Sequence, residues 1–142
     1  MKKFTLTLIL TLATVAGSFA QDVFGKWKTI DDETGEAKSI VEIYKKNGKV
    51  FGKVVEILNE DRKDAKCQDC PGDRADQPIL GLEIIRGLEK DDDEYEDGTI
   101  LDPQNGKVYK CYIELESADK LKVRGYIGFS LIGRTQYWYR VK

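Results

Sequence analysis

Residues 109–123 read YKCYIELESADKLKV, and this stretch decides the fold. From its first residue to Leu115, every second side chain is apolar or aromatic, which is the period of a strand with one buried and one wet face. Residues 117–120 are turn formers, and Leu121 and Val123 then resume the same alternation. The stretch therefore predicts an antiparallel hairpin.

The same pattern of short strand and turn extends over the rest of the chain. Asn47-Gly48 favours the positive φ values of a two-residue hairpin turn, and residues 102–106 read DPQNG, another strong turn sequence. No stretch has a convincing helical period, so we expect only a turn or two of helix, near residues 59–66. About eight antiparallel strands predict an all-β meander that closes into a small barrel, with a β-sandwich as the alternative.

The first twenty residues have the features of an export signal. Lys2 and Lys3 precede an apolar run, and Ser18-Phe19-Ala20 offers small residues for cleavage. We expect residues 1–20 to be removed and residues 21–142 to form a single domain, periplasmic or extracellular and soluble. The apolar run is too short to span a bilayer and no longer one follows, so no membrane insertion is expected.

The composition excludes several classes of function. The chain has no histidine, which rules out Ser-His-Asp and Cys-His catalysis and any imidazole metal site. Two of the 23 basic residues lie in the leader, so 21 remain against 25 acidic residues. This mixed balance predicts no clustered positive field and hence no nucleic-acid partner. We also expect no metal and no cofactor.

Two of the three cysteines are three residues apart, at Cys67 and Cys70. In an oxidising compartment the expected state is a disulfide within the long connection between residues 59 and 78. A redox pair and half of a metal site are the alternatives. Cys111 falls on the apolar face of its strand and is expected to be a buried free thiol.

A series of motifs covers the predicted mature chain. In chain order, the motifs are Gly25-x-Trp27, Cys67-x-x-Cys70, Gly81-Leu82, Gly98-x-Ile100-x-Asp102-Pro103-x-x-Gly106-x-x-Tyr109, Leu121-x-x-Arg124-Gly125-Tyr126, Gly133-Arg134-Thr135-Gln136 and Trp138-x-Arg140. This series resembles the exported bacterial family known as domain of unknown function 2147. By its name, that resemblance implies no activity and assigns no site residue.

Gly25-Lys26-Trp27 also resembles the opening of lipocalins and related ligand-binding barrels. In those proteins an arginine of the last strand packs across the tryptophan, and Arg140 is the corresponding residue here, with Arg134 in reserve. A guanidinium over an indole gains about 0.5–2 kcal/mol. The resemblance implies a structural latch formed by Gly25, Trp27, Trp138 and Arg140 that closes a lipocalin-like barrel.

Arg124-x-Tyr126 is similar to the Arg-x-Tyr pair with which fatty-acid-binding barrels hold an acid head group. Residues two apart share one face of a strand, so both side chains can reach the same anion. However, if Leu121, Val123 and Ile127 face the core, then this pair faces solvent.

These features predict an exported, non-catalytic binder of a small apolar or amphipathic molecule, with Arg124 and Tyr126 as the hypothetical ligand contacts. The alternative is a barrel with a filled core that acts through its surface, and an enzyme using carboxylates or the cysteine pair is least favoured. The volume of the inner side chains decides between the first two, because large residues can fill an eight-stranded barrel.

Overall fold

The computed structural model describes residues 22–129 and 132–142, so the predicted export signal, residues 1–20, lies outside the described residues. Eight antiparallel strands pair in sequence order and form a closed barrel, which confirms the predicted fold and excludes the β-sandwich. The strands are β1 (Gly25–Ile30), β2 (Ala37–Lys46), β3 (Lys49–Ile57), β4 (Glu83–Asp91), β5 (Glu94–Leu101), β6 (Val108–Ser117), β7 (Lys120–Tyr126) and β8 (Gly133–Arg140).

The barrel closes where β1 meets β8. Trp27 lies opposite Arg140 and Lys28 lies opposite Tyr139, while the other edge of β1 pairs with β2. The first and last strands therefore protect each other's backbone groups, and neither is left as an exposed sheet edge.

A single apolar cluster fills the middle of the fold. Its members come from all eight strands, from the segment that precedes β1 and from the connection between β3 and β4. The most deeply buried large side chains are Trp27, Trp138, Ile43, Ile85, Leu88, Leu101, Ile113, Leu121, Val23 and Val41.

The strands alternate in direction, so the barrel has two different ends. The start of β1 and the end of β8 lie at one end, which we call the latch end. The other end, the loop end, carries the connections 31–36, 58–82, 102–107 and 127–132. The longest of these contains two 3₁₀ turns, Glu60–Arg62 and Gly72–Arg74. The helix expected near residues 59–66 is thus reduced to a single 3₁₀ turn.

β4 continues to Asp91 and β5 begins at Glu94, so only two residues of the acidic stretch 91–97 form the hairpin turn between them. Asp92 adopts the positive φ that such a tight turn requires. Ile127 was expected in the core and is instead 61% exposed, because β7 ends at the preceding residue.

Candidate functional site

The interior of the barrel is occupied by the chain's own side chains. Trp27 and Trp138 are its largest members, and both are almost completely shielded from solvent. Leu121 lies opposite Trp138 in the β7–β8 ladder, so the two share the inner face. Trp138 points inward, since it is buried while its neighbours Tyr137 and Tyr139 are exposed.

Two inward-facing glycines show how closely the inner side chains approach one another. A Cβ placed on Gly52 would lie 3.2 Å from Cβ of Ile85 and 3.3 Å from Cγ1 of Val41. A Cβ on Gly125 would lie 3.3 Å from Cγ2 of Ile100, a side chain that reaches over from β5 to β7. These distances are shorter than the usual 3.5–4.0 Å or so between packed carbon atoms. Side chains of the adjacent strands β2 and β4 therefore crowd Gly52, and the Ile100 side chain crosses β6 to reach Gly125.

At the latch end, Arg140 covers the indole of Trp27. Its guanidinium carbon lies 4.3 Å from the centre of the Trp27 ring. The same guanidinium donates to three backbone oxygens: Nε to Ala118 at 2.9 Å, Nη1 to Phe24 at 2.9 Å and Nη2 to Asp22 at 2.8 Å. One arginine therefore joins the last strand, the β6–β7 turn and the segment that precedes β1.

The other predicted latch residues lie nearby. The indole nitrogen of Trp27 donates to the carbonyl of Val23 at 2.8 Å, which anchors the incoming chain across this end of the barrel. Gly25 has a φ of 118° and lies against the Arg140 guanidinium, so a side chain there would be strained and crowded. Trp138 is buried within the barrel. That these contacts stabilise the closed barrel remains a prediction.

Arg124 and Tyr126 lie together on the outer face of β7. Leu121 and Val123 are buried, so the alternation turns the pair away from the interior. Arg124 donates to the Oγ1 atom of Thr135 on β8 at 2.9 Å. The arrangement supports the solvent-facing interpretation of this pair and gives no support to an acid clamp inside the barrel.

The pair belongs to a larger surface, the tyrosine–lysine face, on the outside of β6, β7, β8 and β1. Cross-strand register brings its members together: Lys122 lies opposite Tyr137, and Tyr139 lies between Lys120 and Lys28. The face consists of Lys26, Lys28, Lys110, Tyr112, Lys120, Lys122, Arg124, Tyr126, Tyr137 and Tyr139.

Lysines and tyrosines of this face contact one another directly. The ammonium of Lys120 lies 4.4 Å from the centre of the Tyr137 ring, and that of Lys122 lies 5.6 Å from the centre of the Tyr112 ring. A hydrogen bond with the Tyr112 hydroxyl raises the pKa of Lys122, so this lysine stays charged. Tyr137 and Tyr139 remain 39% and 43% exposed.

Sequence reasoning missed this surface. The overall charge balance predicted no clustered positive field, yet the face gathers six cations, and Glu114 of β6 borders it beside Lys122. The signal available in the sequence was the alternation of Lys120, Lys122 and Arg124 along one strand. Only the pairing of β7 with β6 and β8, and of β8 with β1, shows that these cations share a surface with four tyrosines.

A disulfide joins Cys67 and Cys70, as expected, in the connection between β3 and β4. Both cysteines are buried. The backbone of Cys67 accepts from Asp76 at 2.9 Å and donates to Gln77 at 2.8 Å, which folds the connection back on itself. This geometry is that of a structural clip, because a pair that exchanges thiols needs access to its substrate.

A polar network beside this connection centres on Glu83. It accepts hydrogen bonds from the Tyr44 hydroxyl at 2.6 Å and from Nε of Arg86 at 2.7 Å, and it pairs with Lys46 at 3.3 Å. Burial acts to raise the pKa of Glu83, but these bonds outweigh it and the pKa is lowered. The pKa of Tyr44 is raised to about 12, mainly because the hydroxyl is partly buried and next because it is hydrogen-bonded to Glu83. The carboxylate is therefore held ionised and is poorly suited to act as a general acid.

Two surface clefts lie in the connections outside the barrel. One, of about 520 Å³, is bounded by residues 60–69 and 103–104. The other, of about 280 Å³, lies beside Arg74 and Arg86. Arg74 is buried and donates from Nη1 to the carbonyl of Glu83 at 3.1 Å, while its Nε has no partner among the described residues. Both clefts are lined largely by charged and polar groups, unlike the apolar cavities that hold drug-sized ligands.

A family model described as "Uncharacterized protein conserved in bacteria (DUF2147)" matches residues 25–140. The chain belongs to this family. The match runs from the first latch glycine to Arg140, so the DUF2147 domain coincides with the eight strands of the barrel. No curated protein matches the sequence.

The DUF2147 barrel is similar to a solved structure, protein HP1028 from Helicobacter pylori, which is described as belonging to the lipocalin family. The two share 20% sequence identity with a TM-score of 0.75, over 85% of this chain and 84% of the other. At this identity the likeness shows a lipocalin-like fold and carries no function with it. Among residues 22–129 and 132–142 of the DUF2147 chain, no helix is long and apolar enough to cross a bilayer.

Proposed function

We propose that this protein is a non-catalytic binding module that uses its lipocalin-like barrel as a scaffold and binds its partner on the outer surface. The observation that carries the proposal is the close approach of inner side chains over Gly52 and Gly125. Together with the two buried tryptophans, this packing leaves little interior volume for a ligand.

The environments of the reactive groups support the non-catalytic part of the proposal. Glu83 is held ionised by its donors, and Cys111 is buried so deeply that the pKa of its thiol rises to about 12. Among the described carboxyl groups, Glu96 has a raised pKa through its hydrogen bond with Asp91, but it lies half-buried on a strand and not in a cleft. General acid catalysis favours a raised pKa in an enclosed site.

A small apolar or amphipathic molecule bound at the loop end is the second candidate. The lipocalin-like fold favours it, and so do the exposed side chains of Ile127, Phe129 and Ile132 at the turn that follows β7. Exposed apolar clusters of this kind mark binding surfaces in many proteins.

We also propose that the protein works in the periplasm or outside the cell. The predicted export signal over residues 1–20 supports this location, and so does the disulfide, because such bonds persist in oxidising compartments. Intact mass of the protein from periplasm and medium tests it. The expected product begins at Gln21 and has lost two hydrogens to the disulfide, whereas a full-length cytoplasmic product would contradict export.

Titration of the mature protein with a dansyl-labelled fatty acid tests the site of binding. Trp27 and Trp138 line the interior and would transfer excitation energy to a dansyl group bound there. The packed barrel predicts no saturable binding at micromolar concentrations. Saturable 1:1 binding with energy transfer from the tryptophans would replace the proposal with the second candidate.

A further inference from the structure

Charge is unevenly distributed over this protein. Residues 21–142 carry more acidic than basic residues, so the mature chain is acidic overall. The ten residues of the tyrosine–lysine face nevertheless include six cations. Acids adjoin it at its borders: Glu114 and Glu116 on β6, Glu42 opposite Lys26 on β2, and Glu96 and Asp97 near Tyr126. An acidic protein with one cationic face presents a localised positive field, which favours an anionic partner at that face.

The geometry of the face suits an extended partner. Its cations lie on β6, β7 and β1 and not at a single point, and the tyrosines of β8 lie between the cations of β7 and those of β1. Neighbouring strands are about 4.8 Å apart. Lys110 on β6 and Lys28 on β1 mark its two sides. A small anion would engage one or two of these groups, whereas a polymer with repeated charges can engage the whole row.

The tyrosines narrow the chemistry of the partner. Lys120 covers one face of Tyr137 and Lys122 approaches Tyr112, so these rings are not open platforms for stacked nucleobases. Their hydroxyl groups instead add hydrogen-bonding groups among the ammonium groups, and the ring edges add apolar contact surface. A chain of sugar rings that bear hydroxyl and carboxylate groups complements all of these features.

We propose that the tyrosine–lysine face binds an acidic polysaccharide, with the lysines and Arg124 pairing with its carboxylates and the tyrosines contacting its sugar rings. This inference rests on the proposed function, because it assigns a partner class to the outer surface. Salt bridges to exposed lysines are individually weak, so affinity depends on several contacts made at once.

Polygalacturonate, a polymer of uronic acid, is the probe, and uncharged dextran is its control. The mature wild-type protein is expected to bind polygalacturonate, to bind more weakly as salt rises, and not to bind dextran. The triple variant Lys120→Gln, Lys122→Gln, Arg124→Gln removes three cations of the face. It should bind about tenfold more weakly, with a smaller salt dependence.

The matched control is Lys45→Gln, Lys63→Gln, Lys90→Gln, which makes the same change in net charge at exposed lysines outside the face. It should change the affinity by less than about twofold, since these lysines lie outside the face and would not pair with a polymer bound on it. A charge-neutral variant, Tyr137→Ser with Tyr139→Ser, should weaken binding but leave the salt dependence unchanged. Thermal melting checks that every variant is folded.

Three results would overturn the inference. They are the absence of polygalacturonate binding, equal losses in the two triple variants, and tighter binding of oligo-dT or of anionic phosphatidylglycerol vesicles than of polygalacturonate. None of these results depends on the barrel interior. The fatty-acid titration therefore tests the proposed function, and the polysaccharide titration separately tests the class of partner.

Discussion

Substitution of Gly52 by alanine tests whether the barrel is packed. The new Cβ would lie 3.2 Å from Cβ of Ile85 and 3.3 Å from both Cδ1 of Ile85 and Cγ1 of Val41. Gly52 does not have a positive φ, so its backbone accepts an L side chain. The sign of the effect therefore depends on whether Ile85 and Val41 can move.

Two opposing terms set the magnitude. Replacing glycine restricts the unfolded chain and stabilises a protein by about 0.4–1 kcal/mol where the native backbone permits it. Forcing an additional methyl group into a packed core costs about 1–3 kcal/mol. A packed interior thus predicts that Gly52→Ala lowers the free energy of unfolding by about 0.5–2 kcal/mol, while a hollow one predicts a small gain.

Urea denaturation of the mature protein measures the change. Ile85→Val removes the Cδ1 atom that the new methyl would meet. As a single substitution it should lower the free energy of unfolding by about 0.5–1.5 kcal/mol. The double variant Gly52→Ala, Ile85→Val should be more stable than the sum of the two single effects predicts, because the valine lacks Cδ1 and so relieves that part of the overlap. A Gly52→Ala protein as stable as wild type, or more so, would refute the packed interior.

Three other predictions follow from individual contacts. Trp27→Ala should lower the free energy of unfolding by about 3–5 kcal/mol. Arg140→Lys, whose side chain cannot reach all three carbonyls, should lower it by about 2 kcal/mol. If both variants melted at the wild-type temperature, the latch would be excluded. Cys111 should react with Ellman's reagent at pH 8 only after unfolding, because burial raises its pKa to about 12. The lowered pKa of Glu83 adds stability that is present at neutral pH and lost as pH falls below about 4.5. In urea melts over pH 3–7, Glu83→Gln should therefore lose less stability on acidification than wild type, and an unchanged acid dependence would exclude this contribution.

The fold could be predicted because local patterns and the global topology agree. The alternation from Tyr109 to Leu115 and the turn at Asn47-Gly48 each specify their own element, and both occur in the structure. The meeting of β1 with β8 was also accessible, since a glycine and tryptophan at one end and an arginine at the other resemble a known barrel closure. The expectation that Ile127 faces the core was wrong because alternation predicts the face of a residue only as long as the strand continues.

The surface could not be predicted in the same way. Lys28 and Tyr139 are over a hundred positions apart in sequence, and they become neighbours only through the closing β1–β8 ladder. How completely side chains fill the interior depends on distances such as that between Ile100 and Gly125. These distances vary with the tilt and curvature of the strands. Neither composition nor periodicity contains these quantities, so the sequence could not decide between a hollow barrel and a filled one.

Xenon pressurisation of crystals of the mature protein tests the packed interior most directly, because xenon occupies empty apolar cavities. Crystals of Leu121→Ala, which removes a fully buried side chain opposite Trp138, provide the positive control. A packed barrel predicts no xenon peak inside the wild-type protein and one beside Trp138 in the variant. A strong xenon peak inside the wild-type barrel would contradict the packed interior and point to an internal ligand site.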